Sequence, residues 1–369
     1  MAEKIFVSDC LSKRERVERT LRLQPVDRVA LHDQVSFNPG VIALYTGRGV
    51  EDFDYTVEDI AVVIRRTLDM CFRPVPPCGR DRIVTEDGFV IQNDNWTSWV
   101  VSRPFNDVRG AREWLARRLK KLQEEPFDPP EARARYREEF LRLQALVGET
   151  VICDYAGLGL SDAFRLMGLD LFSYVYADHP GLVSDYLEAV AQAEVRRARA
   201  VADAELSPVF LIAEDFATKG GTIFSPAFLR RELFPRVKLV AEAWHSCGLS
   251  VLYHSDGNYR EAIPELIQAG VDGFYCLEPA LGMDVVELKR LWPNMVWAGG
   301  IDGVDLMERG TPEEVRRAVH RQILETDALS TGGLFIGSSS EINPPIRPEN
   351  FRAMVEAVGE LRNPRWPFP

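Results

Sequence analysis

The feature that most constrains this chain is a rhythm that begins near residue 150, where short apolar runs alternate with longer amphipathic stretches. The runs read TVICDYA, SPVFLIAE, LSVLYHSD, VDGFYCLE, NMVWAGGID and GGLFIGSSS. Apolar on both faces and bounded by turn residues, they have the pattern of strands buried in a parallel sheet. Helical segments accompany them: SPAFLRRELFPRVKLVAEAWHSCG, YREAIPELIQAG, MDVVELKRLWP, TPEEVRRAVHRQILETD and PENFRAMVEAVGELR. Ser225-Pro226 and Thr311-Pro312-Glu313-Glu314 are helix starts, with a cap residue ahead of a proline at the first helical position. Gly248 and Gly270 stand where two of those helices should stop. Repeated right-handed crossovers either open into a doubly wound sheet or close into a barrel. No GxGxxG or GxxxxGKS/T follows a strand, which removes the usual signature of a dinucleotide or P-loop sheet. The expected fold is therefore α/β, a TIM-like (β/α)8 barrel.

At 369 residues the chain suits one large barrel domain, residues 1–369, with regular βα units over 151–369. Residues 1–150 are less regular and are expected to supply an N-terminal helical and hairpin extension. SKRERVERTLRL reads as an amphipathic helix, PVDRVALHDQ as the approach to a first strand, and TVEDIAVVIRRTLDM as another helix. TEDGFVIQNDNWTSWVV alternates like a hairpin laid on the barrel, REWLARRLKKLQEE is helical, and PFDPPEA is a proline-rich link.

A net charge of −12 opposes a nucleic-acid partner, because phosphate binding needs a positive surface. The arginines of RARARYREEFLRLQ and EVRRARAVADAE are interleaved with acids as on solvated helix faces. No stretch reaches the ~18 apolar residues of a membrane span, and the start lacks an apolar signal segment. A cytoplasmic protein with no membrane partner is expected. Cys10, Cys71, Cys78, Cys153, Cys247 and Cys276 have no regular spacing and read as free thiols.

In a parallel barrel the chemistry lies at the C-terminal ends of the strands. Those ends carry Glu214 and Asp215, His254 and Asp256, Cys276 and Glu278, Asp302, and Ser338 to Ser340 with Glu341. Residues two apart on a strand share a face, so His254 with Asp256, and Cys276 with Glu278, could point into the mouth together. Taken singly, Asp256 before Gly257-Asn258 and Asp302 before Gly303 suit loop or helix capping. A metal site would use His254, Asp256 and Glu278, although no HExxH or paired-cysteine spacing supports it. Acid/base work is the third reading, with crowded carboxylates raising one another's pKa. His254, Asp256, Glu214 and Asp215 are the catalytic candidates; Glu278, Asp302, Ser340, Glu341, Trp96 and His32, accompanied by Asp33, are the substrate-binding ones. His179, His245 and His320 lie in or beside amphipathic helices and attract no role.

With these residues in view, the chain resembles the uroporphyrinogen decarboxylase superfamily. The resemblance is carried by RERVERTLRLQPVDRV, AEDFATKGGTIFSPAFLRRELFP, HSDGN, AGVDGFYCLEPALGMDVVELKRLWPNMVWAGGID, GTPEEV and PPIRPENFRAMVEAV. It implies a distorted (β/α)8 barrel and one of two activities, haem-pathway decarboxylation or methyl transfer serving corrinoid proteins. The decarboxylases carry an RQAGRYLPE-like motif whose arginines hold substrate carboxylates. The corresponding region here, HDQVSFNPGVIALYTGRG, has no arginine before Arg48. An acidic mouth also repels a substrate rich in carboxylates, by roughly 4 kcal/mol for like charges ~4 Å apart at an effective dielectric of 20.

The zinc-dependent methyltransferases of the superfamily use His-x-Cys and a later Cys. His254 matches the histidine, whereas Asp256 and Ser340 stand where the sulfurs belong. The resemblance thus implies a methyltransferase without a thiolate-rich zinc site. It would demethylate a small methoxylated or otherwise methylated donor by acid- or metal-assisted transfer to a corrinoid protein. A divalent metal (zinc) and a homodimer are left open. The alternatives are a divergent decarboxylase and a non-catalytic barrel that binds a tetrapyrrole.

Overall fold

The computed structural model describes residues 4–50 and 52–366. Nine parallel strands run in the order β6-β2-β1-β14-β13-β12-β11-β8-β7. They are β1 (Ala30–Asp33), β2 (Met70–Cys71), β6 (Val151–Ile152), β7 (Asp154–Ala156), β8 (Val209–Ala213), β11 (Ser250–His254), β12 (Gly273–Tyr275), β13 (Val296–Ala298) and β14 (Leu334–Ile336). β6 and β7 are halves of one strand interrupted at Cys153. β6 pairs with β2, and β7 pairs with β8. The two ends of the sheet therefore meet, and the barrel closes with eight strands.

Alternation along the strands explains the two cores. Inward positions such as Met70, Val151, Leu211, Leu252, Val296 and Phe335 fill the barrel, and the outward ones pack under the helices. The helix Lys13–Leu21 closes the N-terminal end, with Val17 and Leu21 joining the interior cluster. Beside it lies a buried ionic cluster. Arg28 forks onto Asp9 at 2.8 and 2.9 Å and onto Asp69 at 2.6 and 3.0 Å, while Arg16 holds Asp27 and Asp69, each at 2.8 Å.

Three antiparallel strands, β3 (Arg82–Val84), β4 (Val90–Asp94) and β5 (Thr97–Ser102), form the extension expected as a hairpin. A small hairpin, β9 (Ala217–Thr218) with β10 (Gly221–Thr222), stands beside the site. Two local readings change, and one short strand is added to them. The link PFDPPEA is shorter than expected, because Asp128 caps and Pro129 opens a helix running to Val147. The helix begun by Ser225-Pro226 breaks into Pro226–Glu232 and Phe234–His245, where Pro235 has no amide to continue the ladder. The second barrel strand is only two residues long, too short to show a period. Thr311 closes a capping box with Glu314 as its sequence suggests. No helix among the described residues is long and apolar enough to cross a membrane.

Candidate active site

β11 delivers His254 at its last residue, on the inward face. The imidazole lies 5.5 Å from the ring of Tyr275, which meets Phe72 at 5.2 Å and His32 at 5.0 Å. His254 therefore sits above an aromatic floor. Its Nε2 is 3.4 Å from Asp215 Oδ1 and 3.8 Å from Asp256 Oδ1, and its Nδ1 is buried without a hydrogen-bond partner. Burial opposes the charge on His254. The Asp215 hydrogen bond and the charges of Asp256, Asp215 and Glu341 outweigh it and hold the pKa above the ordinary histidine value.

Asp215 is the complementary half of this pair. Burial would raise its pKa, but the His254 bond and charge, the Asp256 amide at 3.1 Å and Arg165 at 3.5 Å bring it down. Ser161 steadies it from behind, its Oγ accepting the Asp215 N–H at 2.8 Å. The pair thus favours the imidazolium form of His254 and the carboxylate form of Asp215, each relative to the isolated group.

β12 ends at Tyr275, and Cys276 then adopts φ +67°. This left-handed residue breaks the alternation, so Tyr275 and Cys276 both join the interior cluster. The Cys276 S–H is shared between Ser339 O at 2.8 Å and Asp256 Oδ1 at 3.0 Å. Burial, reinforced by the Asp256 charge, pushes its pKa well up, so it is a thiol. Glu278 does not join it. Glu278 instead accepts the Gly257 amide at 2.9 Å, and burial, with help from Asp256 and Asp302, raises its pKa.

The donor atoms of His254, Asp256 and Cys276 all lie within 4.8 Å of one another. Nitrogen, carboxylate oxygen and sulfur are the donors zinc takes, so these side chains fit that ion. The grouping differs from the set expected from sequence, with Cys276 from the neighbouring β12 beside His254 and Asp256 where Glu278 was expected.

Other expected residues have separate tasks. Glu214 follows the end of β8 beside Asp215 but is bound by other groups. It accepts the Ser161 amide and hydroxyl at 2.7 and 2.6 Å and also bonds the Leu158 amide. It therefore caps the helix Leu160–Met167, whose own cap residue, Gly159, has no side chain to do so. Burial raises its pKa to about 7 despite these bonds. Asp302 caps the turn at Gly303–Glu308 through the amides of Val304 and Asp305.

Trp96 sits on the turn joining β4 and β5. His32 is buried in the floor, its Nδ1 3.1 Å from Met70 O, and burial lowers its pKa to about 4. Because a carbonyl only accepts, Nδ1 carries the proton. Its neighbour Asp33 takes the Ser338 amide at 2.8 Å and the Gln34 amide at 2.9 Å, and burial raises its pKa to about 8. Ser340 is half-buried at the end of β14, and the charge of Glu341 acts on His254. Ser161, Arg165 and the left-handed turn at Cys276 were not legible beforehand. Each depends on a contact between distant segments.

Fold and site together define an eight-stranded α/β barrel with a histidine and carboxylates gathered at the C-terminal ends of its strands. The sequence profile of uroporphyrinogen decarboxylase (URO-D) matches residues 161–361, more than half of the chain, and the chain belongs to that family. A methyltransferase from Methanosarcina mazei shares the fold, with a TM-score of 0.63 over 94% of this chain and 98% of that one at 16% identity. A sugar phosphate isomerase/epimerase from Parabacteroides distasonis ATCC 8503 aligns at a TM-score of 0.30 and 11% identity, over 60% of this chain and 74% of that one. No curated protein matches the chain in sequence.

Proposed function

We propose that the protein is a methyltransferase that removes a methyl group from a small methoxylated donor and passes it to a corrinoid carried by a separate protein at the open barrel mouth. The observation that carries this reading is the His254–Asp215 pair, a histidine whose protonated form the neighbouring carboxylates favour, at the mouth where a leaving oxygen would sit. Membership of the family and the fold shared with a methyltransferase support it.

Cleavage of the methyl–oxygen bond leaves an electron pair on oxygen, and an alkoxide or aryloxide is a poor leaving group in water. A proton from the His254 imidazolium neutralises that oxygen as the methyl departs, a contribution typically worth about 10²–10⁴-fold. Asp215 keeps the imidazole charged and oriented, and Arg165, Ser161 and the Asp256 amide keep Asp215 in place. Tyr275 and Phe72 give an aryl group an apolar surface to rest on. Zinc held by His254, Asp256 and Cys276 would replace the His254 proton rather than add to it, because the imidazole and the thiol would have to be deprotonated to bind the ion; it would then supply Lewis-acid polarisation of the leaving oxygen.

The test is demethylation of methoxyaromatic donors in the presence of reduced corrinoid proteins. His254→Ala should lose about 10²-fold or more. Unchanged turnover in that variant removes His254 from the mechanism, and carbon dioxide release without a corrinoid partner replaces the reading with decarboxylation.

A further inference from the structure

The mouth that holds His254 also contains a carboxylate with no partner of its own. Glu341 follows the last barrel strand, on a segment pinned across the mouth: the Ser339 N–H donates to Ile301 O at 2.7 Å, beyond β13, and the Ile342 N–H donates to Gln34 O at 2.8 Å, beyond β1. Its side chain is half-buried and makes no ion pair or hydrogen bond among the described residues. Its charge acts on Asp33, His254 and Tyr275, the last residues of β1, β11 and β12. We propose that Glu341 holds the ammonium group of a cationic aryl donor, an inference that rests on the reading of this mouth as the donor site.

Tyr275 supplies the second observation. It is only 4% exposed and lies inside the barrel, with His32, Phe72 and His254 as ring neighbours at 5.0, 5.2 and 5.5 Å. Its hydroxyl makes no hydrogen bond among the described residues, although the charges of Asp33, Glu341 and Asp256 all reach it. A phenol oxygen accepts from an N–H, and a buried one left without a partner costs about 1–3 kcal/mol. An ammonium has three donors to share between Glu341 and this oxygen. The faces of Tyr275 and Phe72 attract a cation as well as an aryl group.

The charge around the mouth selects the same class of ligand. The carboxyl groups of Asp33, Asp215, Asp256, Glu278, Asp302 and Glu341 gather there, against His254, Arg165 and Lys219 on the β9–β10 hairpin. Neighbouring Arg260 is taken by Glu287 at 2.6 Å. Burial pushes Asp33 up to about 8, and Glu278 is raised too. With both set aside as neutral and His254 counted as charged, four carboxylates still outnumber three cations. Zinc would not reverse that sign, because its two positive charges arrive as the protons of His254 and Cys276 leave. Such a mouth draws in an ammonium and turns away a carboxylate.

The experiment is isothermal titration of the chelator-treated full chain at neutral pH, without a corrinoid partner. The ligands are para-methoxybenzylamine, para-methoxybenzyl alcohol and para-methoxybenzoate; the proteins are wild type, Glu341→Gln and Tyr275→Phe. The amine should bind saturably, about tenfold or more tighter than the alcohol, as expected of a partly screened charge pair, with the benzoate weakest. Glu341→Gln should remove that advantage and leave the alcohol's affinity unchanged, which also reports that the variant's mouth is intact. Tyr275→Phe should weaken the amine as well. Failure of the amine to bind saturably, binding no tighter than the alcohol or the benzoate, or unchanged amine affinity in either variant overturns the assignment. Demethylation of neutral donors with no preference for the amine would sink this inference alone, whereas amine binding without any methyl transfer would sink only the reading of the reaction.

Discussion

Replacing Asp215 by Asn removes a full negative charge 3.4 Å from His254 Nε2 while nearly preserving shape. Coulomb's law puts that interaction at about 1 kcal/mol in bulk water and about 5 kcal/mol at an effective dielectric of 20. The two side chains are 20% and 27% exposed, open enough for water to screen them, which places the loss near the lower end. A loss of about 1–2 kcal/mol changes the imidazolium-to-imidazole ratio by a factor of about 5 to 30. The stabilisation from a histidine whose pKa is raised on folding is fully present below its ordinary value, about 6.5, and is lost as pH rises through the raised one. Turnover that uses the imidazolium should fall over the same rise. The assay is an NMR titration of the imidazole C–H signals of chelator-treated protein. The chain has only five histidines, and His254→Ala identifies the relevant signal. In Asp215→Asn the His254 midpoint should move to lower pH, and the alkaline limb of any activity profile should move with it. A midpoint that stays in place or rises would refute the pairing as the source of the charge.

Other perturbations test different parts of the molecule. Arg28→Met leaves Asp9 and Asp69 buried without their fork and should cost about 3–5 kcal/mol in urea unfolding; a loss below about 1 kcal/mol would mean the cluster relaxes. Gly257 has φ +81°, and an added Cβ would lie 2.7 Å from Thr218 O. Gly257→Ala should therefore destabilise by about 1–3 kcal/mol and displace the β9–β10 hairpin, read by calorimetry and by activity. Cys276→Ala should abolish stoichiometric zinc uptake in dialysed protein while leaving the thermal midpoint within a few degrees. Zinc retained at full occupancy would exclude the sulfur as a ligand. Ser161→Ala strips a partner from both Glu214 and the Asp215 amide, for a loss of about 1–3 kcal/mol in denaturant titration.

The barrel was legible because its strands after residue 150 are apolar on both faces and its helices carry proline and glycine punctuation. The end of the first strand at LHDQ was legible for the same reason. β2 was not, since two residues show no period and are strands only because β1 and β6 flank them. At the site, the two-residue spacing correctly set His254 and Asp256 on one side. The same rule failed for Cys276 and Glu278, because it assumes continuous extended backbone and Cys276 is left-handed. Glu214 and Asp215 lie beyond the end of β8, where alternation no longer tells their directions apart, and the Ser161 and Leu158 contacts of Glu214 come from a distant segment.

The interrupted strand at Cys153 gives the barrel unequal walls. β11 is laced to β8 through five residue pairs, whereas β2 meets β6 through only two. The side bearing His254 and Asp215 is thus the stiff one, and compliance is concentrated on the side that carries Arg73, Asp154 and Tyr155. Local opening of the wall therefore costs less at β2 and β6 than at the strands that hold the proton donor.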